Sequence, residues 1–210
     1  MDYDPLGERP KVSASRRAYQ HVREQILDGT LVGTTLVSEN EVAEALGMSR
    51  TPVRAAFVQL EAEGYLKLYP KRGALVVPVS AQEAEAVMET RWVIERYAIE
   101  RASRELGAEL AAAADTHAEL TGTALVDADR AFHRALVAGT ENEILLSLYD
   151  TLRDRQRRMA RVSTGTPERK ARIVEEHRDL GTALANGDPE EAVAILRRHL
   201  DGALAALRRL

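Results

Sequence analysis

One carboxylate and three imidazoles in the second half of the sequence are placed so that they could bind a metal ion. Asp129 and His133 are four residues apart, which puts them on one face of a predicted helix. His177 and His199 each continue the apolar stripe of another predicted helix. Because buried polar groups need partners, we expect the four side chains to meet inside one helical bundle and share a divalent ion.

Any one of these histidines could instead have a structural role, because a single buried imidazole needs only a carbonyl or carboxylate partner. The combination with an aspartate favours a metal. The chain has no cysteine, which excludes thiolate ligands. A histidine-rich site with one carboxylate suits Zn, Ni, Mn or Fe, and the sequence does not choose among them.

Arg91 is a candidate for binding a small ligand. It lies on an apolar stripe of the helix predicted after residue 80, and Glu95 follows four residues later. One interpretation is an ion pair within the helix. The other is an inward arginine that binds the carboxylate of a small organic acid through two hydrogen bonds. His21 and His117 match no motif position, so both are interpreted as surface or structural residues.

A second candidate site begins at Ser49, where two hydroxyls and two arginines open a predicted helix. Such groups at a helix N-terminus suit phosphate oxygens and base edges of DNA. The alternative is an ordinary amphipathic helix with a solvated charged face. The candidate residues are Ser49, Arg50, Thr51 and Arg54.

The elements around this helix favour DNA binding. A short helix that Ser38 and Glu41 would cap comes before it and ends at Gly47. Two short alternating strands around a Pro–Gly turn follow, with Lys71 and Arg72 at the tip. This order predicts a helix-turn-helix followed by the hairpin, or wing, of a winged helix.

The same patterns divide the chain into parts. Residues 1–14 are expected to form a flexible arm, and residues 15–79 a winged helix-turn-helix. Residues 80–210 show helical periodicity throughout and predict an all-helical bundle of six helices, so the fold class is mainly α. The bundle helices are predicted near residues 80–106, 108–120, 125–138, 142–162 and 166–187, and from 188 onward.

Composition limits the function further. The net charge of −4 excludes a generally basic nucleic-acid coat, but residues 49–73 carry five basic against two acidic residues. Any DNA surface is therefore a local patch. The lack of cysteines fits a reducing cytoplasm. We see no signal peptide and no apolar run long enough to span a membrane.

The run GMSRTPVRAAFVQLEAEGYL, with RGALVV after it, resembles the winged-helix domain of the GntR-family transcription regulators. Two departures from the usual pattern put the operator sequence in question: Ala55 replaces a glutamate, and Gly33-Thr34 replaces Pro-Gly. Asn40 stands where some members place an arginine on the DNA backbone. The resemblance implies DNA contacts from Ser49, Arg50, Thr51 and Arg54, with Arg72 and Gly73 near the minor groove.

The second half resembles the FCD ligand-binding domain of the FadR subfamily of these regulators. Six helices are nearer the VanR-like branch. The resemblance implies a divalent metal at Asp129, His133, His177 and His199, and an organic-acid effector whose carboxylate reaches it. The matching runs are Asp129-Arg130-Ala131-Phe132-His133, Glu176-His177-Arg178 and Arg197-Arg198-His199-Leu200.

The expected function is therefore that of a ligand-responsive transcription regulator, a repressor as most members of this family are. It would bind double-stranded operator DNA as a homodimer in the cytoplasm, and would not be an enzyme. One alternative is a metalloenzyme that uses the histidine–aspartate site, although the sequence offers no separate candidate for a positioned general base. Another is an architectural DNA-binding protein whose bundle only dimerises, which would bind no metal.

Overall fold

The computed structural model describes residues 12–70, 72–152, 155–159 and 166–207. The chain divides into two compact units, Met1–Pro78 and Val79–Leu210. Most of the predicted N-terminal arm and Lys71 of the predicted wing lie outside the described residues. The observed architecture is mainly helical, as the sequence predicts, with a small sheet in the first unit.

The first unit contains the predicted helix-turn-helix and wing. Ser13 opens the first helix, because its hydroxyl accepts a hydrogen bond from the Arg16 N–H at 3.2 Å. Gly47, with φ of +60°, provides the left-handed residue in the turn between the second and third helices. The elements are α1 (Ala14–Leu27), β1 (Leu36–Val37), α2 (Glu39–Ala45), α3 (Arg50–Ala62), β2 (Leu66–Tyr69) and β3 (Gly73–Val76).

Strands β2 and β3 pair antiparallel, with Tyr69 opposite Gly73, and form the predicted hairpin. Strand β1, which was not predicted, adds to the free edge of β3 in the order β1-β3-β2. Gly73 has φ of +94°, and a Cβ atom there would lie 2.5 Å from the Val37 carbonyl oxygen. The β1–β3 pairing therefore requires glycine at this position, whether or not Gly73 also contacts DNA.

The predicted inner face of α3 lies in the core of this unit. Val53, Ala56, Phe57 and Leu60 are fully buried and pack with Val22 of α1. Their spacing leaves the opposite face of α3, which carries Arg50 and Arg54, exposed to solvent. The hydrophobic core therefore determines which side of the helix is presented.

The described residues of the second unit form helices joined by short turns, without a strand among them. Thr166 and Asp188 open α8 and α9 as predicted, accepting hydrogen bonds from the Arg169 and Glu191 N–H groups. Residues 155–159 are also helical. The bounds are α4 (Ala81–Ile99), α5 (Arg104–His117), α6 (Gly122–Ala138), α7 (Glu143–Asp150), α8 (Pro167–Asn186) and α9 (Pro189–Leu207).

Two predicted boundaries in this unit are wrong. Helix α4 ends at Ile99 rather than near residue 106, because the Ser103 hydroxyl caps α5 by accepting the Leu106 N–H at 3.1 Å. Helix α7 ends at Asp150 rather than near residue 162. There the Thr151 N–H and hydroxyl both bond to the Leu148 carbonyl, which closes the turn in place of a further helical turn.

Glycines allow α5 and α8 to approach each other closely. A Cβ atom on Gly107 would overlap the backbone of Ala185, and one on Gly181 would overlap the backbone of Ala111. This close approach brings His117 at the end of α5 beside His177 of α8, with ring centroids 5.6 Å apart. Among the helices that the structure describes, none is both long and apolar enough to cross a membrane.

Candidate metal centre and DNA-binding surface

The structure brings together the four side chains that the sequence analysis proposed as metal ligands. Helix α6 contributes Asp129 and His133, α8 contributes His177, and α9 contributes His199. All four are buried, and one ligand atom from each lies within 4.8 Å of all the others. They form the histidine–aspartate cluster.

The distances within the histidine–aspartate cluster fit a small cation at its centre. His133 Nε2 lies 3.1 Å from His199 Nε2 and 3.2 Å from His177 Nε2. Asp129 Oδ1 lies 3.3 Å from His177 Nε2, 3.8 Å from His199 Nε2 and 3.9 Å from His133 Nε2. Ligand atoms bound tetrahedrally at about 2.1 Å from an ion are about 3.4 Å apart.

Each imidazole has its Nδ1 directed away from the centre and toward another polar group. His133 Nδ1 lies 2.8 Å from Glu95 Oε2, and His199 Nδ1 lies 3.0 Å from Glu176 Oε2. The carboxylates favour a proton on Nδ1, which leaves the Nε2 lone pair directed inward. A cation would resolve the repulsion between lone pairs that face each other, so this donor set fits a metal.

The residues behind the imidazoles were not among the predicted site residues. Glu95 was considered only as a partner of Arg91, and Glu176 only as part of the run around His177. His117, interpreted as a surface or structural residue, is buried, and its Nδ1 lies 3.4 Å from His177 Nδ1. No sequence pattern near His117 indicates that it belongs to the site. For Glu95 such a pattern exists, because it lies four residues after Arg91 on the same helical face.

The electrostatic environment favours the protonation states that a metal requires. Burial lowers the pKa of His177 to about 3 and also lowers the pKa of His199. Burial alone would raise the pKa of Asp129, but the hydrogen bond from His177 and the nearby imidazoles hold it well below its ordinary value. An ionised Asp129 and neutral His177 and His199 can bind a metal at neutral pH without losing protons.

Arg91 makes the ion pair that the sequence allowed. Its Nε donates to Glu95 Oε1 at 2.7 Å, and the Tyr149 hydroxyl donates to the same oxygen at 2.7 Å. Although burial acts to raise the pKa of Glu95, the charge of Arg91 and the contact with His133 hold it below its ordinary range. Glu95 therefore links Arg91 to His133 of the histidine–aspartate cluster.

A pocket in the second unit connects Arg91 with the histidine–aspartate cluster. Its cavity volume is about 20 Å³, and it opens partly to solvent. The Arg91 Nη2 atom is buried and has no hydrogen-bond partner within the described residues. Arg91 therefore forms the ion pair with Glu95 and still has an N–H group that could bind the carboxylate of a ligand. The lining residues are Met88, Arg91, Asp129, Arg130, Gln156, Met159, Arg169, Ile173, His199 and Ala203.

The residues proposed to contact DNA lie at the start of α3 and next to it. Ser49, Arg50, Thr51 and Arg54 are exposed, as are Asn40 of α2 and Arg72 before β3. The Ser49 hydroxyl makes no capping bond. Arg50 and Arg54 both bond to Glu39, with Arg50 Nη2 and Arg54 Nε each 3.0 Å from its carboxylate. Glu39, which was not among the predicted site residues, positions both arginines.

A winged helix-turn-helix, followed along the chain by a helical unit with a buried ligand cluster, is the architecture of a bacterial transcription regulator. Residues 14–76 match the description "Bacterial regulatory proteins, gntR family", and residues 86–202 match the description "FCD domain". The chain belongs to the GntR family and carries an FCD domain.

Curated relatives and solved structures agree with this assignment. A probable D-xylose utilization operon transcriptional repressor of Paenarthrobacter nicotinovorans is 31% identical over 87% of this chain and 83% of its own length. The gluconate operon transcriptional repressor of Bacillus licheniformis is 25% identical over 84% of this chain and 73% of its own length. The crystal structure of a GntR regulator from Rhodococcus sp. RHA1 superposes with a TM-score of 0.74 and supports the fold. The two sequences are 24% identical, and the match covers 93% of this chain and 97% of that chain.

Proposed function

We propose that this protein is a metal-dependent, ligand-responsive repressor that binds operator DNA as a homodimer in the cytoplasm and has no enzymatic activity. The observation that carries this proposal is the convergence of three imidazole Nε2 atoms and the Asp129 carboxylate at metal-binding distances. Two relatives named as operon repressors favour repression over activation.

Asp129, His133, His177 and His199 would hold the divalent ion. When bound, the ion would supply a Lewis-acid site for an oxygen ligand. Glu95 and Glu176 would keep the His133 and His199 rings in orientation through Nδ1. Zn, Ni, Mn and Fe all suit this donor set.

The effector is proposed to be a small carboxylic acid in the pocket beside the histidine–aspartate cluster. Arg91 supports this proposal, because its buried Nη2 has no partner among the described residues and the residue lines the pocket. An acid held there would reach both Arg91 and the metal ligand Asp129. The relative named for the gluconate operon is consistent with a carboxylate signal.

Repression would be relieved through a difference in effector affinity between two arrangements of the dimer. An effector that binds one arrangement of the helical unit better shifts the population toward it and changes the spacing of the two winged helices. Operator half-sites demand a defined spacing, so DNA affinity falls.

The carboxylates beside the cluster support a regulator rather than a metalloenzyme. Glu95 contacts Arg91, Tyr149 and His133, and Glu176 contacts Arg169 and His199. A general base must be able to take a proton from a substrate, and these two groups are occupied by permanent donors.

Metal analysis and DNA footprinting together test the proposal. Purified protein should contain about one divalent ion per chain, and it should protect a palindromic site upstream of its own gene. A carboxylic acid should release the DNA from metal-loaded protein but not from chelator-treated protein. Metal without operator binding would favour the enzyme, and operator binding without metal would favour the architectural protein.

A further inference from the structure

One carboxylate accepts hydrogen bonds from both arginines of the proposed DNA-binding surface. Arg54 Nε donates to Glu39 Oε1 at 3.0 Å, and Arg54 Nη2 donates to Glu39 Oε2 at 3.2 Å. Arg50 Nη2 donates to the same Oε2 at 3.0 Å. Two guanidinium charges and one carboxylate charge leave a net charge of +1. Glu39 therefore halves the positive charge that the two arginines would present to DNA.

The contacts with Glu39 also determine which edge of the Arg54 guanidinium faces away from the protein. A guanidinium has five N–H donors in a planar fork. Glu39 accepts from the edge formed by Nε and Nη2, so the edge formed by Nη1 and the second N–H of Nη2 is not used by Glu39. Two parallel N–H groups match the O6 and N7 acceptors of guanine. Arg54 can therefore contact a base while it stays bound to Glu39.

A phosphate group competes with Glu39 for the same donors. The Glu39 side chain is 17% exposed, whereas the side chains of Arg50 and Arg54 are 59% and 66% exposed. Hydrogen bonds from Arg54 and then Arg50 hold the pKa of Glu39 below its ordinary value, so Glu39 is ionised at neutral pH. An arginine that leaves Glu39 for a phosphate exchanges one anionic acceptor for another and leaves the carboxylate beside the DNA. A phosphate contact therefore gains little.

We propose that Glu39 is a positioning residue that makes DNA binding selective for sequence. It acts through Arg50 and Arg54, by weakening their contacts with phosphates and by holding Arg54 in the orientation that suits a base edge. This inference rests on the operator-binding function proposed above. It extends that function by assigning the discrimination between operator and other DNA to an acidic residue.

Two affinities of the full-length, metal-loaded protein test this inference. One is for the operator found by footprinting, and the other is for a shuffled duplex of the same length and composition. Glu39→Gln should bind the shuffled duplex more tightly than the parent protein does, and the operator no more tightly. The ratio of the two dissociation constants should therefore fall by about tenfold or more. Glu39→Ala, which removes both acceptor oxygens, should reduce the ratio at least as much.

The salt dependence of binding to the shuffled duplex gives a second measurement. Each arginine that Glu39→Gln releases to a phosphate should steepen the plot of log affinity against log salt concentration by about 0.9. A purely structural role of Glu39 would not produce this change, because a distorted α3 would lose phosphate contacts and make the plot shallower.

Glu41→Gln is the matched control. Glu41 lies in the same first turn of α2, is exposed, and makes no hydrogen bond to Arg50 or Arg54 within the described residues. The substitution removes the same charge from the same surface, so it should raise both affinities together and leave their ratio unchanged.

The outcomes separate this inference from the proposed function. If the parent protein does not distinguish the operator from the shuffled duplex, the operator-binding function fails and the inference fails with it. If the parent distinguishes them and Glu39→Gln does so equally well, the inference alone is overturned. It is also overturned if Glu39→Gln weakens binding to both duplexes, or if Glu41→Gln reduces the ratio as much as Glu39→Gln does.

Discussion

His117 Nδ1 lies 3.4 Å from His177 Nδ1, on the side of the His177 ring away from the Nε2 that faces the rest of the histidine–aspartate cluster. When Nε2 binds a metal, the His177 proton is on Nδ1, and His117 is the acceptor that the structure places there. The His177 ring also stacks on Phe132, with centroids 4.2 Å apart. His117 and Phe132 together orient the His177 ring.

His117→Phe should weaken metal binding by about tenfold to a hundredfold, because it removes the acceptor behind His177. His117→Gln should restore much of the affinity, since its side-chain oxygen accepts a hydrogen bond. Competition with a chromophoric chelator measures both affinities. His21→Phe, in the other unit, is the control, and equal affinities for His117→Phe and the control would contradict the role of His117.

The stability of the metal-free protein should depend on pH. Burial lowers the pKa of His177 from 6.5 to about 3, so between these values the unfolded chain binds a proton that the folded chain does not. The free energy of unfolding therefore rises with pH through this window, by at most about 1.4 kcal/mol per pH unit for each imidazole.

Urea unfolding with chelator present, between about pH 5 and pH 7, measures this dependence. His177→Phe should make it shallower while keeping a ring against Phe132. A slope that is the same in the variant and the parent protein would show that His177 is not buried in its neutral form.

Arg54→Ala should weaken operator binding by at least about tenfold and leave the metal content unchanged. Arg54 is exposed at the start of α3, and it bonds to Glu39 rather than to the core. Footprinting measures the first effect and metal analysis of the same sample the second. Arg178→Ala in the other unit should retain full operator affinity. Loss of metal in Arg54→Ala would instead indicate a general folding defect.

Gly181→Ala should destabilise the second unit by about 1–3 kcal/mol through overpacking. A Cβ atom at this position would lie 2.8 Å from Ala111 Cα and 2.9 Å from the Gly107 carbonyl oxygen. Urea unfolding measures the loss. Ala112→Ser on the exposed face of α5 is the control, with a change within about 0.5 kcal/mol. Equal stability of the two variants would mean that the helices are less closely packed.

Local patterns were sufficient to predict most of the elements. Thr166-Pro167 and Asp188-Pro189 mark helix starts by capping and by proline at the first helical position, and both helices begin there. The helix start at Ser103 was not predicted, because a serine without a nearby proline or glycine is a weak sign of a helix boundary. Strand β1 was also not predicted, because two residues are too short to show a period and depend on the pairing with β3.

The sequence by itself determined which residues of each helix face inward, because the 3.6-residue period is local. That was enough to place Asp129, His133, His177 and His199 in one buried cluster. Only the tertiary structure decided what stands behind them. Glu176 meets His199, and His117 meets His177, because of how α5, α8 and α9 cross, and crossing geometry depends on contacts between residues far apart in the chain.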